Sequence, residues 1–273
     1  MLSTNKCFWA AAVLTLSLAS LCCAAALAQQ GQVAPPANPV VVDQAAKLQG
    51  LHRQAAERYA GIDSYLVRLR RREQVGGKNQ PEEVMLFKFR KQPFSVYFKF
   101  LGPVGRGREV VYVKGQYEDK IHTLTAAGDI PLTPAGRHIA LAPDSFLVRS
   151  KSRHPITEAG IGHLIDRFGQ LLEFERRNGG STGLVKYLGT YQRPEFGGKL
   201  DTVLQVVPAR YESELPRGGR RYWFFDSTLH LPVLVLTLDE KGQEVEYNCF
   251  EDFQSPVAFT AEDFNPEYLG RHQ

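Results

Sequence analysis

Residues Val84 to Leu124 read VMLFKFRKQPFSVYFKFLGPVGRGREVVYVKGQYEDKIHTL, and this stretch decides the fold. Met85, Phe87 and Phe89 share one side of an extended chain. Past Pro93, residues Phe94, Val96, Phe98 and Phe100 share one side, with Ser95, Tyr97 and Lys99 opposite. A period of two belongs to a strand, whose successive side chains leave by opposite faces. Glu109 to Lys114 and Glu118 to Leu124 continue the pattern. Pro93, Gly102-Pro103 and Gly115 interrupt it at turns, and connections this short join antiparallel neighbours.

Towards the N-terminus, Ser64 to Val75 reads as a further strand with Leu66, Arg68, Arg70 and Arg72 on one side, closed by Gly76-Gly77. Before it, Ala45, Leu48, Leu51, Ala55 and Tyr59 recur at helical spacing, with Asp43 as the N-cap and Gly61 as the stop. Gln29 to Val42 is Pro- and Gln-rich without a period and reads as a linker. Residues 1–28 carry a basic Lys6, an apolar run from Phe8 to Leu21 and a small-x-small site at Ala26-Leu27-Ala28, the organisation of a secretory signal peptide. Retention as a membrane anchor and lipidation at Cys22 or Cys23 are the rival readings.

Towards the C-terminus, Ile161, Leu164, Ile165, Phe168, Leu171 and Leu172 form an amphipathic stripe. Pro155 and Thr157 stand at its expected start, Asn178-Gly179 at its end, and Gly160, Gly162 and Gly169 weaken it. Leu184 to Tyr191, Thr202 to Pro208, Arg220 to Asp226, Leu231 to Asp239 and Glu244 to Phe253 read as strands, some of the last three apolar on both faces. The expected architecture is α+β: a strongly curved antiparallel sheet, a half-barrel of about ten strands, closed by helices. Residues 43–273 are expected to form a single domain.

The chain has 273 residues, 43% apolar and 23% charged, which is ordinary for a globular protein and excludes a disordered or collagen-like one. A formal charge of +4 is too mild to imply nucleic acid. Loss of residues 1–28 would leave Cys249 without an intramolecular partner, so stability must come from the core; the strand-like VEYNCFEDF context makes that thiol a core residue.

Chemical motifs are sparse. Gly179-Gly180-Ser181-Thr182-Gly183 matches G-x-S-x-G, but a helix precedes it and a strand follows, the reverse of a nucleophile elbow. The seven histidines show no metal-ligand spacing, and no metal or other cofactor is expected. Arg68, Arg70, Arg71 and Arg72 form the densest basic run, read as a solvated strand face or as a rim for anionic groups. Ser152-Arg153-His154-Pro155-Ile156-Thr157-Glu158-Ala159-Gly160-Ile161 is the most idiosyncratic stretch. Its Pro, hydroxyl and carboxylate suit a helix start, and Arg153, His154, Thr157 and Glu158 are candidate functional residues. The aromatic load on the strands suits either a core or a concave apolar pocket.

FRKQPFSVYFKFLGP, REVVYVKGQYEDKIHTL and LPVLVLTLDEKGQEVEYNCFEDFQSPVAFTAEDFNP together resemble the strand–Pro–strand–Gly pattern of the LolA/LolB-like outer-membrane lipoprotein sorting superfamily, over residues 43 to 268. SRHPITEAGI resembles the signature of domain-of-unknown-function family 1571, a group of secreted bacterial proteins. The resemblance implies a LolA-like half-barrel holding acyl chains between sheet and helices. The expected function is therefore non-catalytic: an exported periplasmic or envelope protein, at most peripheral to the membrane, that binds lipid or acylated lipoprotein. Candidate lining residues are Phe87, Phe89, Phe98, Phe100, Val111, Trp223 and Phe225. The alternative is an envelope sensor or scaffold with a collapsed interior and a protein partner.

Overall fold

The computed structural model describes residues 43–129, 134–179, 182–213 and 215–271. The signal-peptide and linker readings and Ser181 lie outside these residues.

Helix α1 (Gln44–Ala60) begins where Asp43 accepts the Ala46 N–H and ends at Gly61, as its apolar spacing predicts. Five strands then run as a meander: β1 (Ser64–Val75), the two-residue β2 (Lys78–Asn79), β3 (Glu83–Arg90), β4 (Ser95–Phe100) and β5 (Glu109–Val113). After β6 (Ile121–Leu124) and β7 (His138–Leu141) the chain crosses back through the one-turn helix α2 (Phe146–Arg149) and helix α3 (Ile161–Arg177). A second meander follows: β8 (Val185–Gln192), β9 (Lys199–Val207), β10 (Gly219–Asp226), β11 (Pro232–Asp239) and β12 (Glu244–Gln254).

Every pairing is antiparallel, and the order is β7-β6-β5-β4-β3-β1-β12-β11-β10-β9-β8, with β2 on β1. The two meanders join at the β1–β12 seam into one curved, unclosed sheet. The count is twelve strands among the described residues, not the expected ten. Lys78–Asn79 is too short to show a period, and HIAL (138–141) follows a turn-rich segment, so neither β2 nor β7 announces itself.

Helices α1 and α3 lie on the concave face. Phe168 sits at the centre, fully buried, with ring centroids 5.0 Å from Phe225 and 5.6 Å from Trp223. The glycines that weaken α3 on propensity serve its packing. A Cβ at Gly162 would lie 2.4 Å from the Tyr59 hydroxyl of α1, and one at Gly169 would lie 2.4 Å from His52. Gly160 rather than Pro155 or Thr157 precedes the helix. Its φ is 110°, and the first N–H of α3, on Ile161, donates 3.0 Å to the buried Tyr65 hydroxyl. Ile156–Glu158 forms a separate single turn of 3-10 helix.

The convex face explains the strands that are apolar on both sides. Phe264 and Leu269 of the C-terminal segment cover Tyr97, Val111 and Val113. Phe196 of the β8–β9 connection packs on a cluster containing Phe224, Leu234, Tyr247 and Cys249. Cys249 is buried there, and burial pushes its thiol pKa up to about 12.

Candidate functional site

The helices leave part of the concave face uncovered. Strand alternation points Met85 and Phe87 of β3, Phe98 and Phe100 of β4, Val110 of β5 and Ile121 of β6 into a cavity of about 430 Å³. Phe87 and Phe98, paired across the ladder, stack at 4.6 Å. The opposite wall is the crossover, residues 147–160 with Leu164 of α3.

Of the expected lining residues, Phe87, Phe98 and Phe100 meet in this cavity. Phe89 points to the same face but is packed away in the core, stacked 4.7 Å from Tyr65. Trp223 and Phe225 lie under α3, with Trp223 forming part of a second cavity. Val111 is on the other side of the sheet. The β4–β5 register pairs Phe98 with Val110 and Tyr97 with Val111, so Val110 takes the inward position. The run EVVYV is apolar at both parities, and a slip of one residue exchanges the faces.

One end of the concave face carries charges instead of aromatics. Tyr65, Val67 and Leu69 face inward along β1, and Arg71 and Glu73 continue that parity. Arg71 donates to Glu83 at 2.9 and 2.5 Å and to Ser152 Oγ at 3.2 Å. Arg108 pairs with Asp129 and lies 3.5 Å from Glu83. On the far side of the seam, Arg221 donates to Glu212 at 2.9 and 2.8 Å and to Thr237 at 3.1 Å. Thr237 in turn donates 3.0 Å to Glu246. Most of this rail was not among the sequence candidates. Its signal is present all the same for two members: a charged residue at the inward parity of a strand whose neighbours on that side are apolar, as with Arg71 beside Leu69 and Arg221 beside Trp223.

The idiosyncratic stretch straps the crossover to this rail. Arg153 donates its backbone N–H to Glu73 and a guanidinium N–H to Gln74 O, at 3.3 and 3.0 Å. His154 Nε2 lies 2.8 Å from Glu246 Oε1. Burial alone would raise the Glu246 pKa, but the charge and hydrogen bond of His154, with Arg221 and Arg167, hold it well below the usual carboxylate range. An ionised carboxylate only accepts, so His154 Nε2 carries the proton in this bond. Glu158 lies 3.4 Å from His163, whose pKa burial lowers. Thr157 is exposed and belongs to neither cavity, because its 3-10 turn directs it outward. Among the described residues no group of three or more His, Cys, Asp or Glu is placed to hold a metal ion. No helix among them is long and apolar enough to cross a membrane.

Residues 62–269 match the family model described as protein of unknown function, DUF1571. The chain belongs to the DUF1571 family. The match spans every element from β1 to the C-terminal turns of this DUF1571 protein, including the strap that carries Arg153 and His154. No curated protein matches it. Solved structures with a similar outline include lipoprotein LppX of Mycobacterium tuberculosis (13% identity, 79% of this chain and 99% of that one, TM-score 0.43). LprF of Mycobacterium bovis is another (14%, 82% and 98%, TM-score 0.44). A third is the MucA/MucB complex of Pseudomonas aeruginosa (14%, 80% and 60%, TM-score 0.41). At such identities and scores nothing about ligand or partner passes from them to the DUF1571 chain.

Proposed function

We propose that the protein is a non-catalytic, exported component of the cell envelope that holds the acyl chains of a lipid or lipoprotein in the concave cavity. The observation that carries this reading is an aromatic wall, Phe87, Phe98 and Phe100, along one side of a cavity of about 430 Å³. A concave recess of this size, aromatic on one wall and polar at one end, has the make-up of a ligand site. Each methylene buried there would contribute about 0.8 kcal/mol. The charged groups at the end of the cavity are engaged with one another, Arg71 with Glu83 and His154 with Glu246, which suits orientation of a ligand better than turnover.

The test is native mass spectrometry of the protein purified after export from membrane-containing cells, followed by organic extraction. A stoichiometric lipid or acylated peptide supports the reading, and Phe98→Asp should abolish its retention with the fold intact. A clean apo mass, with no uptake of added phospholipid or lipopeptide, refutes it and favours an envelope sensor or scaffold with a protein partner.

A further inference from the structure

A second cavity of about 420 Å³ adjoins the first, and the two share His154, Glu158 and Arg167 in their walls. Its lining is the more polar of the two. Gln170, Gln205, Glu212 and Arg221 line it, with Tyr211 and an edge of Trp223. We propose that this chamber receives an uncharged, hydroxyl-rich head group, a sugar or polyol, on the amphiphile whose chains occupy the aromatic cavity. The proposal rests on the acyl-binding reading and adds the head-group class to it.

Two features select that class. The first is charge pairing. Both terminal nitrogens of Arg221 sit on the Glu212 carboxylate, at 2.9 and 2.8 Å, and Arg167 lies 3.6 Å from the same group. His154 is held by Glu246. An anionic head placed on Arg221 would have to take that guanidinium from a carboxylate bound to it by two hydrogen bonds, leaving the carboxylate stranded in a half-dry site. The second is the pattern of donors and acceptors. Gln205 Oε1 accepts from Arg221 at 3.3 Å and from Trp223 Nε1 at 3.2 Å, which fixes its amide and leaves the NH₂ as the group that can donate into the chamber. Gln170 and Tyr211 are exposed at the chamber and bring another amide and a hydroxyl. Amides and hydroxyls both donate and accept, as sugar hydroxyls do, and aromatic surface suits the C–H faces of a ring.

The experiment compares three twelve-carbon amphiphiles below their micelle concentrations, by calorimetry on delipidated protein: dodecyl maltoside, dodecanoate and dodecylphosphocholine. Dodecyl maltoside should bind about tenfold more tightly than either of the others, and a Gln170→Ala, Tyr211→Ala double variant should erase the advantage without changing the dodecanoate affinity. Both substitutions are at exposed positions. Dodecanoate or dodecylphosphocholine binding as tightly as the maltoside, or an unchanged ratio in the double variant, overturns the head-group chamber and leaves acyl binding standing. Failure of all three to bind overturns the acyl reading and this proposal with it.

Discussion

The Glu246–His154 contact ties the crossover to the sheet, and Glu246→Leu tests how much depends on it. The carboxylate is 3% exposed and accepts from His154 at 2.8 Å, Asn248 at 2.8 Å and Thr237 at 3.0 Å. Leucine fills similar volume but leaves the buried Thr237 hydroxyl and the half-buried His154 and Asn248 donors without this acceptor. Breaking one side of a buried pair costs about 3–5 kcal/mol. Glu246→Gln keeps one acceptor oxygen and should cost about 1–3 kcal/mol. A Glu246→Leu, His154→Leu double variant removes the stranded imidazole donor, so it should be more stable than the Glu246→Leu single variant. The coupling between the two sites should be about 1–3 kcal/mol. Urea unfolding at neutral pH measures the wild type, these three variants and the His154→Leu single variant, with m-values compared to confirm the same transition. A Glu246→Leu loss below about 1 kcal/mol, or a double variant equal to the sum of the singles, would refute the claim that this pair fastens the strap.

Acid should destabilise the protein in two stages. His163 has its pKa lowered from 6.5 by burial, so the unfolded state binds the extra proton first and stability starts to fall as the pH drops below about 6.5. Glu246, Glu212 and Asp129 have lowered pKa values, so their contribution is complete above the ordinary carboxylate range and is lost as the pH falls through it. A melting temperature that stayed flat from neutral pH to about pH 4 would contradict this. Gly50, inside α1 with nothing within 4 Å of its would-be Cβ, should gain about 1 kcal/mol on change to Ala. The same change at Gly162 meets the Tyr59 ring and should cost about 1–3 kcal/mol of overpacking, more than the propensity returns; equal shifts in urea midpoint would argue against the close helix approach. Phe168→Ala should cost about 3–5 kcal/mol, whereas Phe146→Ser, at a side chain 83% exposed, should leave the midpoint in place.

Much of the secondary structure is legible along the chain because it depends on neighbours in sequence. Asp43 and Gly61 bound α1, the Ile161–Leu172 stripe marks α3, and period-two alternation or a short apolar run between turns marks ten of the strands. The Asp226–His230 turn is likewise local: Asp226 accepts the N–H groups of Thr228 and Leu229. β2 and β7 escape because two and four residues cannot display a period.

Pairing decided the rest. Whether Val110 or Val111 faces inward depends on the hydrogen-bond register with β4, which a run apolar at both parities does not encode. The aromatics could have filled a core or lined a pocket, and only the placement of α1 and α3 separates Phe168 and Phe225, packed together, from Phe98, which faces open volume. The glycines of α3 read as defects until α1 is laid against them. The charged rail pairs Arg71 with Glu83, Arg221 with Glu212 and His154 with Glu246, and that pairing offsets the cost of withdrawing them from water. No segment read alone contains that compensation, because the β1–β12 seam and the crossover strap bring the partners together.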